Sequence, residues 1–195
     1  MYGKNSSGVA QPPLIDGDRR LVVAPGGAKH VQAALAGRLF YAANINMVAT
    51  STTLNTTFVG LGLCNPTGSG KLVIVHEFGY AYVVAAAAAG VLALATTTDS
   101  GFADDVNAPI KCTRDAYATS VCYTDEGGTI AAPVIVKVIT NFGTNATTAF
   151  ATGPQVVDLE GSIILVPGRA LVTDTTTVMG ASSAQFSFMW EEIDV

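Results

Sequence analysis

Short apolar or β-branched runs recur along this chain, broken by clusters of turn residues, with hardly a helical period between them. Strand-like runs are read at Arg20–Val23, Leu39–Val48, Thr57–Cys64, Leu72–Phe78, Val91–Thr97 and Ile110–Arg114. Others follow at Ser120–Thr124, Pro133–Thr140, Ser162–Val166, Ala170–Thr173 and Gln185–Glu191. Several alternate with the period of two that marks a half-buried strand. Leu72, Ile74, His76 and Phe78 fall on one face, with Val73, Val75 and Glu77 on the other. Phe186, Phe188 and Trp190 alternate with Ser187, Met189 and Glu191, and the pattern is read as ending at Glu192. Turn signals stand at Asn65–Gly70, Gly127-Gly128, Asn141–Asn145, Gly153-Pro154 and Pro167-Gly168. Only Ala28–Ala36 offers a helical pattern. Short strands at this spacing imply a closed or double-sheet β architecture, and a jelly roll matches the size. The expectation is an all-β fold: a jelly-roll-like β-sandwich over 20–195, preceded by an extended N-terminal arm over 1–19.

One stretch invites a different reading. "LCNPTGSGKLVIV", Leu63 to Val75, ends its turn in the Gly-Ser-Gly-Lys of a nucleotide-binding loop. That motif needs a Gly four residues before the Gly-Lys pair, and a Ser or Thr after it. Here Asn65 and Pro66 stand at its start and Leu72 at its end. The loop must also open a helix whose amides face the phosphates, whereas Lys71 leads into "LVIV". The stretch is therefore read as a hairpin turn between two strands.

Of the 195 residues, 49% are hydrophobic and only 13% charged, against about 25% charged in an ordinary soluble domain. Much of the surface must then be neutral, or covered by another subunit. The net charge of −5 and the lack of a basic stripe argue against a nucleic-acid partner. Arg19-Arg20 is the only local basic cluster, and it sits beside Asp16 and Asp18. Cys64, Cys112 and Cys122 form neither a disulfide framework nor a metal knuckle. With no signal peptide in the sequence, they are read as free thiols in a reducing compartment. Ala81 to Ala95 is apolar but too short and too rich in alanine to span a bilayer. It is read as two core strands meeting at Ala89-Gly90, with a buried helix as the alternative; no membrane partner is expected.

The arm, "MYGKNSSGVAQPPLIDGD", is rich in Gly, Ser and Pro and has no periodic apolar face. Alone in solution such a segment does not order, so its ordering calls for a neighbouring chain. Tyr2, Lys4, Pro12, Pro13, Leu14 and Ile15 are its candidate partner-binding residues.

Catalytic options are few. His30 and His76 are the only histidines. The nearest approach to a nucleophile elbow, "GASSA" from Gly180, ends in Ala184 and lies in a Thr/Ser-rich loop. A cupin-type metal site needs several converging histidines. Yet His76-Glu77 stands alone, and no His follows the Pro167-Gly168 turn. Asp99, Asp104, Asp105, Asp125, Glu126, Glu191 and Glu192 supply carboxylates for glycoside hydrolysis or for calcium. Asp99, Asp104 and Asp105, in "TTDSGFADDVN", are the calcium candidates, although their spacing matches no EF-hand loop. No catalytic set and no cofactor is assigned.

Four segments together carry a resemblance: "LAGRLFYAANI", "GLGLCNPTGSGKLVIV", "EGSIILVPGRAL" and the closing "SFMWEEIDV". Over roughly Leu35 to Val195 the chain resembles the jelly-roll structural proteins of tailed-phage virions, such as head decoration or cement proteins and tail or fibre modules. The resemblance rests on turn and strand patterns and leaves the arm outside it. It implies a non-enzymatic virion protein, assembled in the host cytoplasm and often a homotrimer. Its partner would be the major capsid protein or another virion protein. The alternative within that family is a tail, fibre or host-recognition module whose loops, such as Asp99–Asn107, meet a glycan. A diverged cupin-type or carboxylate-based enzyme is the second alternative.

Overall fold

The computed structural model describes residues 3–4, 10–11, 29–50, 56–82, 88–114, 117–142, 155–179 and 184–195. The chain divides into two compact units, Met1–Gln32 and Ala33–Val195. In the first, β1 (Gly3–Lys4) pairs antiparallel with β2 (Ala10–Gln11), Gly3 opposite Gln11 and Lys4 opposite Ala10. This stretch of the arm is a paired ladder rather than a single extended strand. The strand expected at Arg20–Val23 lies outside the described residues. The one helix among them, α1 (Val31–Leu35), falls within the segment read as helical.

The second unit holds ten strands. They are β3 (Leu39–Ala43), β4 (Thr57–Asn65), β5 (Lys71–Tyr82), β6 (Gly90–Thr98), β7 (Lys111–Cys112), β8 (Tyr123–Thr129), β9 (Val134–Phe142), β10 (Gln155–Leu165), β11 (Arg169–Thr175) and β12 (Ala184–Asp194). Their pairing is nested: β3 with β12, β4 with β11, β5 with β10, and β6 with β9, all antiparallel. Two further ladders, β12 with β5 and β11 with β6, fold this long double strand into two sheets. Their orders are β10-β5-β12-β3-β7 and β8-β4-β11-β6-β9. This wrapping is the jelly-roll sandwich that the strand spacing implied.

The turn read as a hairpin is a crossing between sheets. β4 lies in one sheet and β5 in the other, so Asn65–Gly70 carries the chain across the core. Gly68 and Gly70 take φ of +79° and +67°, left-handed conformations that a glycine adopts without steric cost. Asn65 is fully buried there. Its Nδ2 donates to Lys71 O and to Leu165 O, each at 2.9 Å, tying the end of β4 to two strands of the opposite sheet. Pro167-Gly168 makes the second crossing, from β10 to β11. The two turns meet where Gly168 N donates to Asn65 O at 2.9 Å. Likewise β5 and β6, the strands that flank the Ala-rich segment, lie in opposite sheets and do not pair.

The core fills the space between the sheets. Phe78 of β5 stacks with Phe186 and tilts against Phe188 of β12, with centroids 6.0 and 5.2 Å apart. Phe40 stacks on Trp190, and Leu61, Leu63, Leu92, Leu94 and Leu171 close the core from the other sheet. Burying side chains of this size contributes about 1.5–3 kcal/mol each. The face assignment read for β5 is corrected by a bulge. Val75 pairs with Trp190 and Glu77 with Met189, so His76 is an extra residue with no opposite on β12. The phase shifts there: Val73, Val75 and Phe78 enter the core, while Ile74 and His76 lie on the outer face. On β12 the alternation continues one step past its expected end, and Glu192 is buried beside Trp190.

A nested fold needs only a short link between β6 and β9, yet residues 99–133 intervene. This excursion sets β7 beside β3 and β8 beside β4, covering one edge of each sheet. It also packs Phe102 and Ile130 against Phe58, Ala95 and Val172, a second apolar cluster beside the main core.

Candidate functional site

The outer face of the first sheet brings His76, Glu191 and Arg38 together. His76 Nε2 lies 3.5 Å from Glu191 Oε2, and Arg38 Nη2 lies 3.0 Å from Glu191 Oε1. Opposite His76 the ladder of β10 is broken between Asp158 and Ile163, where Glu160 and Gly161 take φ of +51° and +70°. A Cβ on Gly161 would meet Ile74 at 2.9 Å and the His76 ring at 3.8 Å, so this bulge roofs the imidazole. His76 therefore looks away from the sandwich interior, where a cupin metal would be held. It sits in a salt-bridged cluster under a strand.

The acids read as calcium candidates are dispersed to separate tasks. Asp99 Oδ2 accepts from Thr67 N at 2.8 Å, which ties the end of β6 to the β4–β5 crossing. Hydrogen bonds from Thr67 hold its carboxyl below the usual value. Asp105 Oδ1 accepts from Asn107 N at 2.9 Å, and Asp104 is exposed. Among the described residues no three His, Cys, Asp or Glu side chains group as a metal site. Asp125 is buried and accepts from Ala103 N and Gly127 N. Glu126 accepts from the buried Asn44 at 2.6 Å. Burial raises the Glu126 carboxyl above its ordinary value, the Asn44 bond opposes this, and Asp105 and Asp125 raise it further.

Of the arm residues proposed to bind a partner, Lys4 falls in β1. Tyr2, Pro12, Pro13, Leu14 and Ile15 lie outside the described residues.

Two surface features come from the fold rather than from any motif. The first is the pair of sheet edges formed by β9 and β10, with β7 and β8 ending the sheets at their other edges. Among the described residues, β9 and β10 have no neighbour on their outer sides. Both lie at the same side of the sandwich, where Phe142 of β9 meets Tyr82 of β5, the neighbour of β10, at 5.6 Å. Each edge exposes large apolar groups: Val134, Val136 and Val138 on β9, Val156 and Ile164 on β10. Both strands are bulged, the usual way a protein blunts an edge. Lys137 on β9 and the exposed Asp158 and Glu160 on β10 add charge to those edges, while the exposed valines and isoleucine oppose the blunting. Sequence reading marked these runs as strands but did not identify them as edges, because edge position is set by the pairing of distant strands.

The second is a cleft of about 500 Å³ between β3, β7 and the excursion. Phe40, Ile110, Cys112 and Cys122 supply its apolar surface, and Asp104, Asp105 and Ser120 its polar one. Behind Ser120 is Glu192, which accepts from Ser120 Oγ at 2.5 Å, Trp190 Nε1 at 3.2 Å and Val121 N at 3.3 Å. The three cysteines are free and buried. Burial, with the charges of Asp99 and Asp125 behind it, pushes Cys64 up to about 12. Burial and then the Glu192 charge raise the Cys122 thiol as well. A raised thiol pKa disfavours the reactive thiolate at Cys64 and Cys122.

Comparison of the chain with protein-family models, with curated proteins and with solved structures returns no match.

Proposed function

We propose that this chain is a non-enzymatic structural protein of a virion, a capsid decoration or cement protein that binds neighbouring capsid subunits in the assembled lattice. One observation carries the reading. Among the outer strands of the two sheets, β9 and β10 are long, lie at the same side of the sandwich and expose Val134, Val136, Val138, Val156 and Ile164. Long edges with exposed apolar side chains are templates for a neighbouring chain, through strand addition or side-chain packing. The low charge of the chain, 13%, fits a surface that is covered in the assembly. A protein that binds only the assembled lattice stabilises it by mass action. A homotrimer with the arm lying on neighbouring subunits is the form of assembly this reading favours.

A second reading keeps the fold and moves the chain to a tail or fibre. The excursion 99–133 supports it, because long insertions on a rigid scaffold are where recognition loops sit. Quantitative mass spectrometry of purified particles separates the two. A copy number that matches the capsid lattice supports decoration. A few copies per particle support the tail or fibre module, and absence from particles overturns both.

A further inference from the structure

The cleft beside β7 is not needed by the nested eight-strand fold. It is built entirely by the excursion and the strand that the excursion covers. Its volume, about 500 Å³, lies inside the roughly 300–1,000 Å³ range of small-ligand sites. Two properties define what it would accept. The floor is apolar, with Phe40, Cys112 and Cys122 buried and Ile110 partly so. Acidic groups stand both behind the wall and in the lining. Glu192 is 4% exposed, and among the described residues no Lys or Arg pairs with it. Its three hydrogen bonds come from the Ser120 hydroxyl, the Val121 amide and the Trp190 indole, none of which brings a charge. Asp104 and Asp105 add two carboxylates to the lining. Lys111 is the one basic residue there, and it is exposed. Low-dielectric walls focus the potential of such acids into a cleft.

We infer that this cleft binds an organic cation: an ammonium or guanidinium group on a slim apolar stem. Free alkylamines share that chemistry with the lysine or arginine side chain of another protein. The stem covers Phe40 and Ile110, while the head group meets the carboxylates of Asp104 and Asp105 and the one lone pair left on the Ser120 hydroxyl, which already accepts from Cys122 N at 2.9 Å. The inference does not depend on assembly, and its test uses no particle, so either can fail alone.

The test is an amide-shift titration of the full chain by NMR at low salt and neutral pH. The probes are n-butylammonium, the neutral n-butanol, and a capped Gly-Lys-Gly peptide. Saturable shifts of the Lys111, Ser120 and Cys122 amides with both cations are expected, with n-butanol at least tenfold weaker. The double variant Asp104→Asn/Asp105→Asn should weaken cation binding at least threefold while the rest of its spectrum overlays the parent's. Tighter binding of the peptide assigns the site to a partner's side chain, and tighter binding of the free amine to a small ligand. No saturable shift, equal affinity for n-butanol, or unchanged affinity in the double variant overturns the proposal.

Discussion

Asn65→Ala is the sharpest probe of how the two sheets are joined. The wild-type amide donates two 2.9 Å bonds to carbonyls of the opposite sheet, Lys71 O and Leu165 O. Leu165 is buried, and its carbonyl would lose this donor, at a cost of about 1–3 kcal/mol. Lys71 O keeps a long contact from the Ser69 hydroxyl at 3.5 Å, so its loss is nearer 1 kcal/mol. Part is regained, because Asn65 Oδ1 is itself buried without a partner. The net is about 2–3 kcal/mol. In a chain of this length each kcal/mol moves Tm by about 2–4 °C, so calorimetry should show a fall of about 4–12 °C. Asn65→Asp preserves the shape but turns an acceptor toward both carbonyls. It should destabilise more than Ala at pH 7 and recover toward pH 4, where the introduced carboxyl gains a proton to donate. An Asn65→Ala Tm within 1 °C of wild type, or an Asn65→Asp protein as stable as wild type at pH 7, would refute the staple.

Gly60→Ala should cost about 3 kcal/mol of stability, since the added Cβ meets Thr173 Oγ1 at 2.0 Å and φ is +146°; a denaturant midpoint equal to wild type would contradict this. Glu126 holds its proton to higher pH in the fold than in the unfolded chain. Its contribution to stability therefore falls as pH rises from its ordinary 4.5 through its raised value. Asp99, whose carboxyl is lowered, acts in the opposite sense and loses its contribution as pH falls below its ordinary 3.8. Glu126→Gln should accordingly flatten the decline of Tm above pH 4.5, and an unchanged Tm–pH curve would count against the assignment. With Cys64 pushed up to about 12 and all three thiols buried, labelling at pH 8 should be at least about a hundredfold slower than in denaturant; rapid labelling of the folded chain would show that the core opens. Val136→Lys with Val138→Lys, at positions 47% and 63% exposed, should leave Tm within about 1–2 °C yet abolish incorporation into particles, and normal incorporation would clear the β9 edge of any role.

The sandwich was legible because period-two alternation and turn chemistry are local properties. The Phe186–Trp190 alternation and the Asn65–Gly70 turn both fall where the sequence places them. What could not be read was which strands pair. A turn of Asn, Pro, Gly and Ser is compatible with a hairpin or with a crossing between sheets, and only the distant partners β11 and β10 decide. The same holds for β5, where a bulge created by pairing with β12 and β10 turned His76 outward and Phe78 inward. Ser120 and Glu192 stand far apart in sequence and carry no motif, so the cleft they help build gave no signal. The carboxylates that did stand out in sequence, Asp99 and Asp125, accept backbone amides.

The proposed virion role is tested most directly by amide hydrogen exchange, measured on the free chain and on the same chain in purified virus particles. If the β9 and β10 edges are the binding surface, protection should rise on assembly in residues 134–142 and 155–165 and stay unchanged in the interior strand β11. Exchange in β9 and β10 that is the same in both states would contradict the claim that this jelly roll binds its neighbours through those edges.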